Sequence, residues 1–401
     1  MSVDEVASSG MERDRVECRF IPLVDCAPLV VAREMGFAEE ESYDLVLHRE
    51  PSWSSIRDKL ALGRLTAAHM LSPMPVAMSM GIGGLPTEID VLSILSINGD
   101  VVAVSPALAE AIHKDGLLPP FSDAEGRGKR LIAATQDQLR IGVPFPFSMH
   151  AELLYFWLER LGLKVPQDLD VRTFPPPLMA EAMAAGEIDA FCVGEPWGSL
   201  AVENGVAEIL LPSSAIWNRA PEKVLAVRRS WIEEQPELTG KLMRSVWRAA
   251  RWLGDPQHHP LAAELLARSA YLDVPVEVIE RALSGNLIVD SRGTGFAAPG
   301  FLEFYQGAAP FPWRSQAVWI ANRLARRMGA DRSEAADQAR SCFRPDLFRQ
   351  VIGGLGVDLP SASEKVEGAL AEPTFANSLY GEILLGPDQF FDGSQFDPDR
   401  D

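Results

Sequence analysis

Apolar strands and amphipathic helices alternate along the first half of the chain, and that order constrains the fold more than any other feature. "CRFIPLVDCAPLVVAREMGF" reads as a strand over Arg19–Leu23, a turn and a helix ending at Gly36. "YDLVLHRE" alternates as a second strand, and the Ser52–Ser55 loop leads into a helix that stops at Gly63. "TAAHML" supplies a third strand before Ser72-Pro73 opens another helix. A β-α-β-α-β order predicts a parallel sheet with helices on its faces. "VLSILSINGDVVAVS" predicts buried strand with a turn at Asn98-Gly99, and His113–Lys129 predicts a surface loop. A second series follows: "LRIGVPF", a helix over Met149–Leu161, "DVRTF", a helix over Met179–Ala185 and "EIDAFCVG". After Trp217 the chain returns with "KVLAVRRSWIEEQPE", and from Pro236 the pattern is mainly helical.

Two such series in tandem predict an α/β protein with two lobes and a mainly helical C-terminal region. The expected division is a flexible terminus over 1–15, a first lobe over 16–104 and a second lobe over 105–222. A return to the first lobe with the helical region then covers 223–386, and a polar tail covers 387–401. A length of 401 residues suits this plan. In open α/β sheets ligands bind beyond the C-terminal ends of the strands, beside helix N-termini, so the expected site is a cleft between the lobes.

A formal charge of −19 argues against a general nucleic-acid surface and requires that any anion site be built from local groups. Hydrophobic content of 47% with mean hydropathy near zero fits a soluble globular chain. Cys18, Cys26, Cys192 and Cys342 show no C-x-x-C spacing, which predicts free thiols in a reducing compartment. "MSVDEVASSGMERDRVECRF" has no apolar h-region, so no secretory signal is expected. The uncharged run Leu65–Thr87 contains Pro73, Pro75 and Pro86, which break a spanning helix, and no membrane association is expected.

Several residues have the chemistry of a small-anion site. Ser55-x-x-Asp58 predicts a capping box that would leave Trp53 just outside a helix N-terminus. Ser72 and Ser148 predict caps of two further helices, the second carrying His150 near its start. Each helix start contributes ~0.3–1 kcal/mol toward an anion when exposed, whereas micromolar binding needs about 8 kcal/mol. A full positive charge is therefore required, and Lys223 is the candidate. Trp53 offers a flat wall and an indole donor, His150 an imidazole donor and Asn98 an amide donor. His69, on a small-residue strand, reads as a buried, satisfied histidine with a candidate pocket role, and the prolines around Pro176 as a stiff turn. Clustered arginines, which phosphate would call for, are absent from this set.

"FIPLVDCAPLVVAREMGF", "EPSWSSIRDKLALG", "AHMLSPMP", "FPPPLMAEAMAAGEIDAFCVGEPW", "PEKVLAVRRSW" and "FFDGSQFDP" follow one another along the chain. In that order, from about Val16 to Pro398, the sequence resembles the NrtA/CmpA family of nitrate- and bicarbonate-binding proteins. The resemblance implies a type II periplasmic-binding-protein fold and a ligand set of Trp53, His150, Lys223 and Pro176, with Asn98 aligning loosely and His69 standing where the family often has a different polar residue. The lysine of Pro221-Glu222-Lys223 favours nitrate over bicarbonate. Within the family the chain is most similar to cytoplasmic NasS-type nitrate/nitrite sensors, which implies a NasT-type RNA-binding antiterminator as partner and no direct nucleic-acid contact. The alternative is the solute-binding component of a nitrate or bicarbonate ABC transporter. No cofactor or metal is expected. Neither a G-x-S-x-G motif nor a phosphate-cradling G-x-x-x-x-G-K-[ST] loop is present, so a binding protein rather than an enzyme is expected.

Overall fold

The chain crosses between two sheets twice, and these crossings decide the strand directions. The structure, a computed structural model, describes residues 13–114 and 116–400. In the first sheet, β1 (Asp14–Phe20) lies between β2 (Tyr43–Arg49) and β3 (Ala67–Leu71), parallel to both. In the second, β6 (Leu139–Val143) lies parallel to β7 (Leu169–Thr173) and β8 (Ala190–Gly194). These are the predicted parallel units.

Both sheets are nevertheless mixed. The long strand β4 (Ile89–Asn98) belongs to the first sheet, and β5 (Asp100–Val104), one residue later, belongs to the second. Gly99 makes the turn with φ +100°, a conformation that side-chain-bearing residues rarely adopt. β5 runs antiparallel to β8 and to β9 (Glu208–Pro212). The chain then returns through β10 (Pro221–Arg228), antiparallel to β3 and β4. The lobe boundary is thus Gly99 rather than residue 104, and the return begins at Pro221. Patterning could not show this, because β4 and β5 are buried throughout and read as one apolar run.

Asn98 occupies this crossing with φ +56°. Its amide Nδ2 donates to the carbonyls of Asn218 and Gly300, and its Oδ1 accepts from the Ala220 N–H at 3.1 Å. One side chain thereby ties the outgoing crossing to the returning one. This corrects the expectation of a ligand-facing amide: the donors of Asn98 are committed to backbone carbonyls.

The C-terminal helices wrap both lobes. The helix Pro236–Leu253 packs on Ala27–Glu34 of the first lobe. Arg323 and Arg326, on the helix Arg314–Met328, pair with Glu159 of the second lobe at 2.9 and 2.7 Å. The expected polar tail is docked instead: Phe390 and Phe396 are buried, and Phe390 stacks on Trp217 with ring centroids 4.8 Å apart. Its charged residues outnumber two phenylalanines in sequence, and only the fold shows which side faces inward. Of the predicted terminus 1–15, residues 1–12 lie outside the described residues and Asp14 already opens β1. The predicted surface loop His113–Lys129 contains the start of a helix, Ala124–Ala134, capped by Asp123. All four cysteines are free and buried, and no helix among the described residues is long and apolar enough to cross a membrane.

Replacing Asn98 by alanine strands the buried Ala220 N–H and removes the donors to the Asn218 and Gly300 carbonyls, with ~1–3 kcal/mol for a buried group left unpaired. Asn98→Ala should therefore lower the urea-unfolding stability by about 2 kcal/mol or more, with the denaturant slope unchanged. A loss below about 0.5 kcal/mol would mean that Asn98 does not hold the crossings together.

Candidate functional site

The ends of β1, β2, β3 and β6 converge where the sheets face one another. Three different local devices aim side chains into this region. Ser52, in extended backbone, caps the helix Trp53–Ala61 by accepting from the Ser55 N–H at 3.3 Å. Trp53 is therefore the first residue of that helix, not a residue outside it. The predicted Ser55–Asp58 box does not form: Ser55 Oγ donates to Glu50 at 2.6 Å and Asp58 pairs with Arg57. Ser148 caps the helix Met149–Arg160 as expected, accepting from Ala151 N–H at 3.2 Å, which places His150 in the first turn. Ser72 does not cap: its hydroxyl donates to the Pro221 carbonyl at 2.6 Å and locks β3 to β10.

That lock sets Lys223 beside the end of β3, in register with Leu71, two residues along from the Leu225–His69 pair. Lys223 is wholly buried. Its Nζ lies 2.8 Å from Asp25 Oδ2 and 2.8 Å from Glu222 Oε1, and 5.7 Å from the centre of the Trp53 ring. Trp53 in turn packs against His69 with ring centroids 5.6 Å apart, and His69 Nε2 lies 2.9 Å from Asp25 Oδ1. From the second lobe, His150 places Nε2 3.0 Å from Asp100 Oδ1 and Nδ1 3.2 Å from Glu222 Oε1. The structure thus gathers four of the six sequence candidates, Trp53, His69, His150 and Lys223, in one buried cluster. Asn98 is spent on the crossing. Pro176, buried in the turn after β7, takes no part in the hydrogen bonds and ion pairs that join the cluster.

Three carboxylates complete the cluster, and sequence reasoning missed their role. Asp25 sits in the turn after β1, Asp100 is the first residue of β5, and Glu222 precedes Lys223 on β10. The pattern "PEK" pointed to its lysine and gave Glu222 no role. The usable cue was clearest at Asp100, which opens the otherwise uncharged apolar strand β5.

Burial and charge pull these groups in opposite directions. Burial raises the Asp25 carboxyl, but Lys223, and then His69, hold it below its ordinary value. Burial lowers the Lys223 ammonium, yet Asp25, Glu222 and Asp100 push it above its ordinary value, so it stays charged. Burial pushes Asp100 up to about 6. Burial, and then the neighbouring Asp100, push Glu222 up to about 8. Burial depresses both imidazoles, His150 to about 4, so both are neutral at pH 7. Asp100, His150 and Glu222 offer one donor atom each within 4.8 Å of one another. The Lys223 ammonium beside Glu222 would repel a second cation on these atoms, and we assign no metal to them.

The cluster also holds a donor with nothing to donate to. Trp53 Nε1–H is buried and has no acceptor among the described residues. A lysine has three N–H donors, and Asp25 and Glu222 account for two of those of Lys223. Two convergent donors beside a flat ring suit a small acceptor.

Residues 9–267 match the NMT1-like family. The chain belongs to that family. Among curated proteins, it is 34% identical over 363 residues to the nitrate import ATP-binding protein NrtC of Synechocystis sp. (strain PCC 6803), covering 88% of this chain and 52% of that one. The chain thus spans about half the length of this relative. It is 27% identical to the nitrate/nitrite binding protein NrtA of Nostoc sp. (strain PCC 7120), covering 100% of this chain and 86% of that one. The crystal structure of the periplasmic nitrate-binding protein NrtA from Synechocystis PCC 6803 superposes with a TM-score of 0.83 at 24% identity, over 97% of this chain and 96% of that one. The NMT1-like chain therefore has the two-lobed periplasmic-binding-protein fold.

Removing Lys223, the cation of this cluster, leaves Asp25 uncompensated, which costs ~3–5 kcal/mol in such pairs. The sign of the pH dependence follows from the carboxyls. Asp25, depressed, contributes stability above its unfolded value that is lost as the pH falls. Asp100 and Glu222, raised, bind protons more tightly folded than unfolded, so they oppose folding increasingly as the pH climbs from about 4 through 6 and 8. Lys223→Met should therefore destabilise most at pH 8 and distinctly less at pH 5.5, read from denaturant midpoints. An equal loss at both values would show that Lys223 does not balance these acids.

Proposed function

We propose that this protein binds a small, planar, acceptor-only monoanion, nitrate or nitrite, between its lobes, and acts as a binding protein rather than an enzyme. The observation that carries the reading is the unpaired Trp53 Nε1–H beside the fully buried Lys223 ammonium. Nitrate offers oxygen acceptors and a flat face, which match an indole donor, an ammonium N–H and the Trp53 ring. The relatives named for nitrate support the same ligand.

The finer reading is a cytoplasmic NasS-type sensor: without ligand it would hold a NasT-type antiterminator, and nitrate or nitrite would release it to switch on nitrate assimilation. The motif resemblance carries this step. A ligand that moves a two-state protein from 1:99 to 99:1 must prefer one state by ~5.5 kcal/mol. The partner would then bind the other state, and each would weaken the other equally. The import proteins among the relatives favour a second reading, the solute-binding part of a nitrate or bicarbonate ABC transporter. Cell fractionation and co-purification separate the two.

Thermal unfolding with sodium nitrate, nitrite, bicarbonate and chloride at matched ionic strength tests the ligand. At a hundred times its dissociation constant, a ligand stabilises by ~2.7 kcal/mol, and nitrate or nitrite should do so while chloride does not. Trp53→Phe keeps the ring and deletes the donor. One lost hydrogen bond at ~1–2 kcal/mol predicts nitrate binding weaker by about tenfold. Unchanged affinity in that variant would remove Trp53 from the site, and no nitrate or nitrite shift in the parent protein would refute the ligand class.

A further inference from the structure

The three acids pose a problem for an anion site, and the hydrogen-bond inventory of Asp100, His150 and Glu222 answers it. His150 presents both ring nitrogens to carboxyl oxygens, Nε2 to Asp100 and Nδ1 to Glu222. A neutral imidazole has one N–H and one lone pair. With both carboxyls ionised, the lone pair would face a carboxylate with no proton between them. As placed, both oxygens of Asp100, Glu222 Oε2 and both His150 nitrogens are buried without a hydrogen-bond partner among the described residues. Asp100 and Glu222 also place carboxyl oxygens within 4.8 Å of one another, so two full negative charges there would repel. A single proton resolves the arrangement.

Resting on the nitrate reading above, we infer that Asp100, His150 and Glu222 share one proton in the cleft, and that nitrate binds only the form that carries it. Nitrate has acceptors and no donor, so it cannot satisfy a bare carboxylate. The shared proton is held within the trio and removes one negative charge from the path of the ligand. A monoanion with its own O–H, bicarbonate, can face the deprotonated trio. The proton is thus a selectivity element between the two.

The groups packed around the trio from other elements are Lys223 on the same strand, Asp25 after β1, His69 on β3, Cys192 on β8 and Glu195 after β8. Lys223 stays charged and Asp25 ionised, His69 stays neutral, and burial holds the Cys192 thiol well above its ordinary value. Glu195, pushed by burial to about 7, is the one neighbour that titrates in the same range as Glu222. Its control is a separate variant.

The test is calorimetric titration of the full chain with nitrate between pH 6 and 9.5, in chelator-treated buffers of different ionisation enthalpy. Affinity should be flat below about pH 7 and fall towards tenfold per pH unit above about pH 8, with proton uptake approaching one per nitrate there. Bicarbonate affinity should not fall over pH 8 to 9. Glu222→Gln keeps a donor that cannot titrate and should abolish the slope, whereas Glu195→Gln should retain it. Flat nitrate affinity with no proton uptake, or a slope removed by Glu195→Gln instead, overturns the inference. Infrared spectroscopy of the ligand-free protein at pH 7 supplies a second readout that needs no ligand. A protonated-carboxyl stretch that is lost in Glu222→Gln, or in Asp100→Asn should the first variant not fold, upholds the shared proton. Its absence overturns the inference. Should nitrate fail to bind at any pH, the ligand reading falls, and the infrared result decides the trio by itself.

Discussion

The Lys223–Asp25 ion pair is the interaction on which the cleft depends. An ammonium buried as completely as this one is tolerated only because carboxylates stand at 2.8 Å on two sides. Two unit charges 4 Å apart attract by ~4 kcal/mol at an effective dielectric of 20, and burial costs several kcal/mol per ion. The pair is therefore close to balance, and its importance lies in position more than in net stability. Asp25 follows β1, Lys223 and Glu222 lie on β10, and Asp100 and His150 reach in from the second lobe. Any rearrangement of the lobes must repartition these charges, so closure and ligand charge are coupled through the same few atoms.

The crossings explain why the cluster forms at all. Asp100 follows Gly99 directly, so the first residue of the second lobe is delivered to the middle of the cleft. Glu222 and Lys223 begin the return strand, so the last crossing delivers two more charges to the same place. Asn98 stands one residue before the turn and spends its amide on Asn218, Gly300 and Ala220, which fixes the relative height of the outgoing and returning chains. Further clamps lie beside it: Val24 N–H donates to the Glu195 carbonyl at 2.8 Å, and the Trp197 indole donates to the Pro22 carbonyl at 2.8 Å. A side chain so engaged is unavailable to a ligand, and that separates the hinge from the site at a distance of one or two residues.

Much of this arrangement was legible in the sequence. The strand–helix alternation gave the two lobes, Asn98-Gly99 marked a turn though not the change of sheet, and Ser148 announced the helix that carries His150. These signals are local: a period, a turn pair and a cap each depend on a few consecutive residues. The failures were non-local. Nothing within β4 and β5 says that they join different sheets. Ser55-x-x-Asp58 satisfies a capping pattern that Ser52, three residues earlier, takes instead. The tail looked polar because Phe390 finds its partners at Trp217, Phe156 and Trp319, and Phe396 bridges to Glu367, all away from the tail in sequence. Arg323, Arg326, Arg327, Arg340 and Arg344 of the C-terminal helices pair with acids within the chain, most of them distant in sequence. The acids of the cleft were the largest omission, because a carboxylate reads as surface unless its neighbours in space are known.

Those acids also set what the cleft refuses. A monoanion placed beside Lys223 finds one positive charge already shared with Asp25, and an indole and an ammonium N–H to receive its oxygens. A dianion would bring a second charge within ~4 Å of carboxylates, at ~4 kcal/mol for each such approach at a dielectric of 20. A second cationic fork of the kind that phosphate sites use would be needed to offset it. The titratable cations of the cluster are two histidines, and burial holds both neutral at pH 7. Charge number, rather than size alone, thus separates a monoanion from phosphate and sulfate at this site, and a chain of net charge −19 reinforces that exclusion.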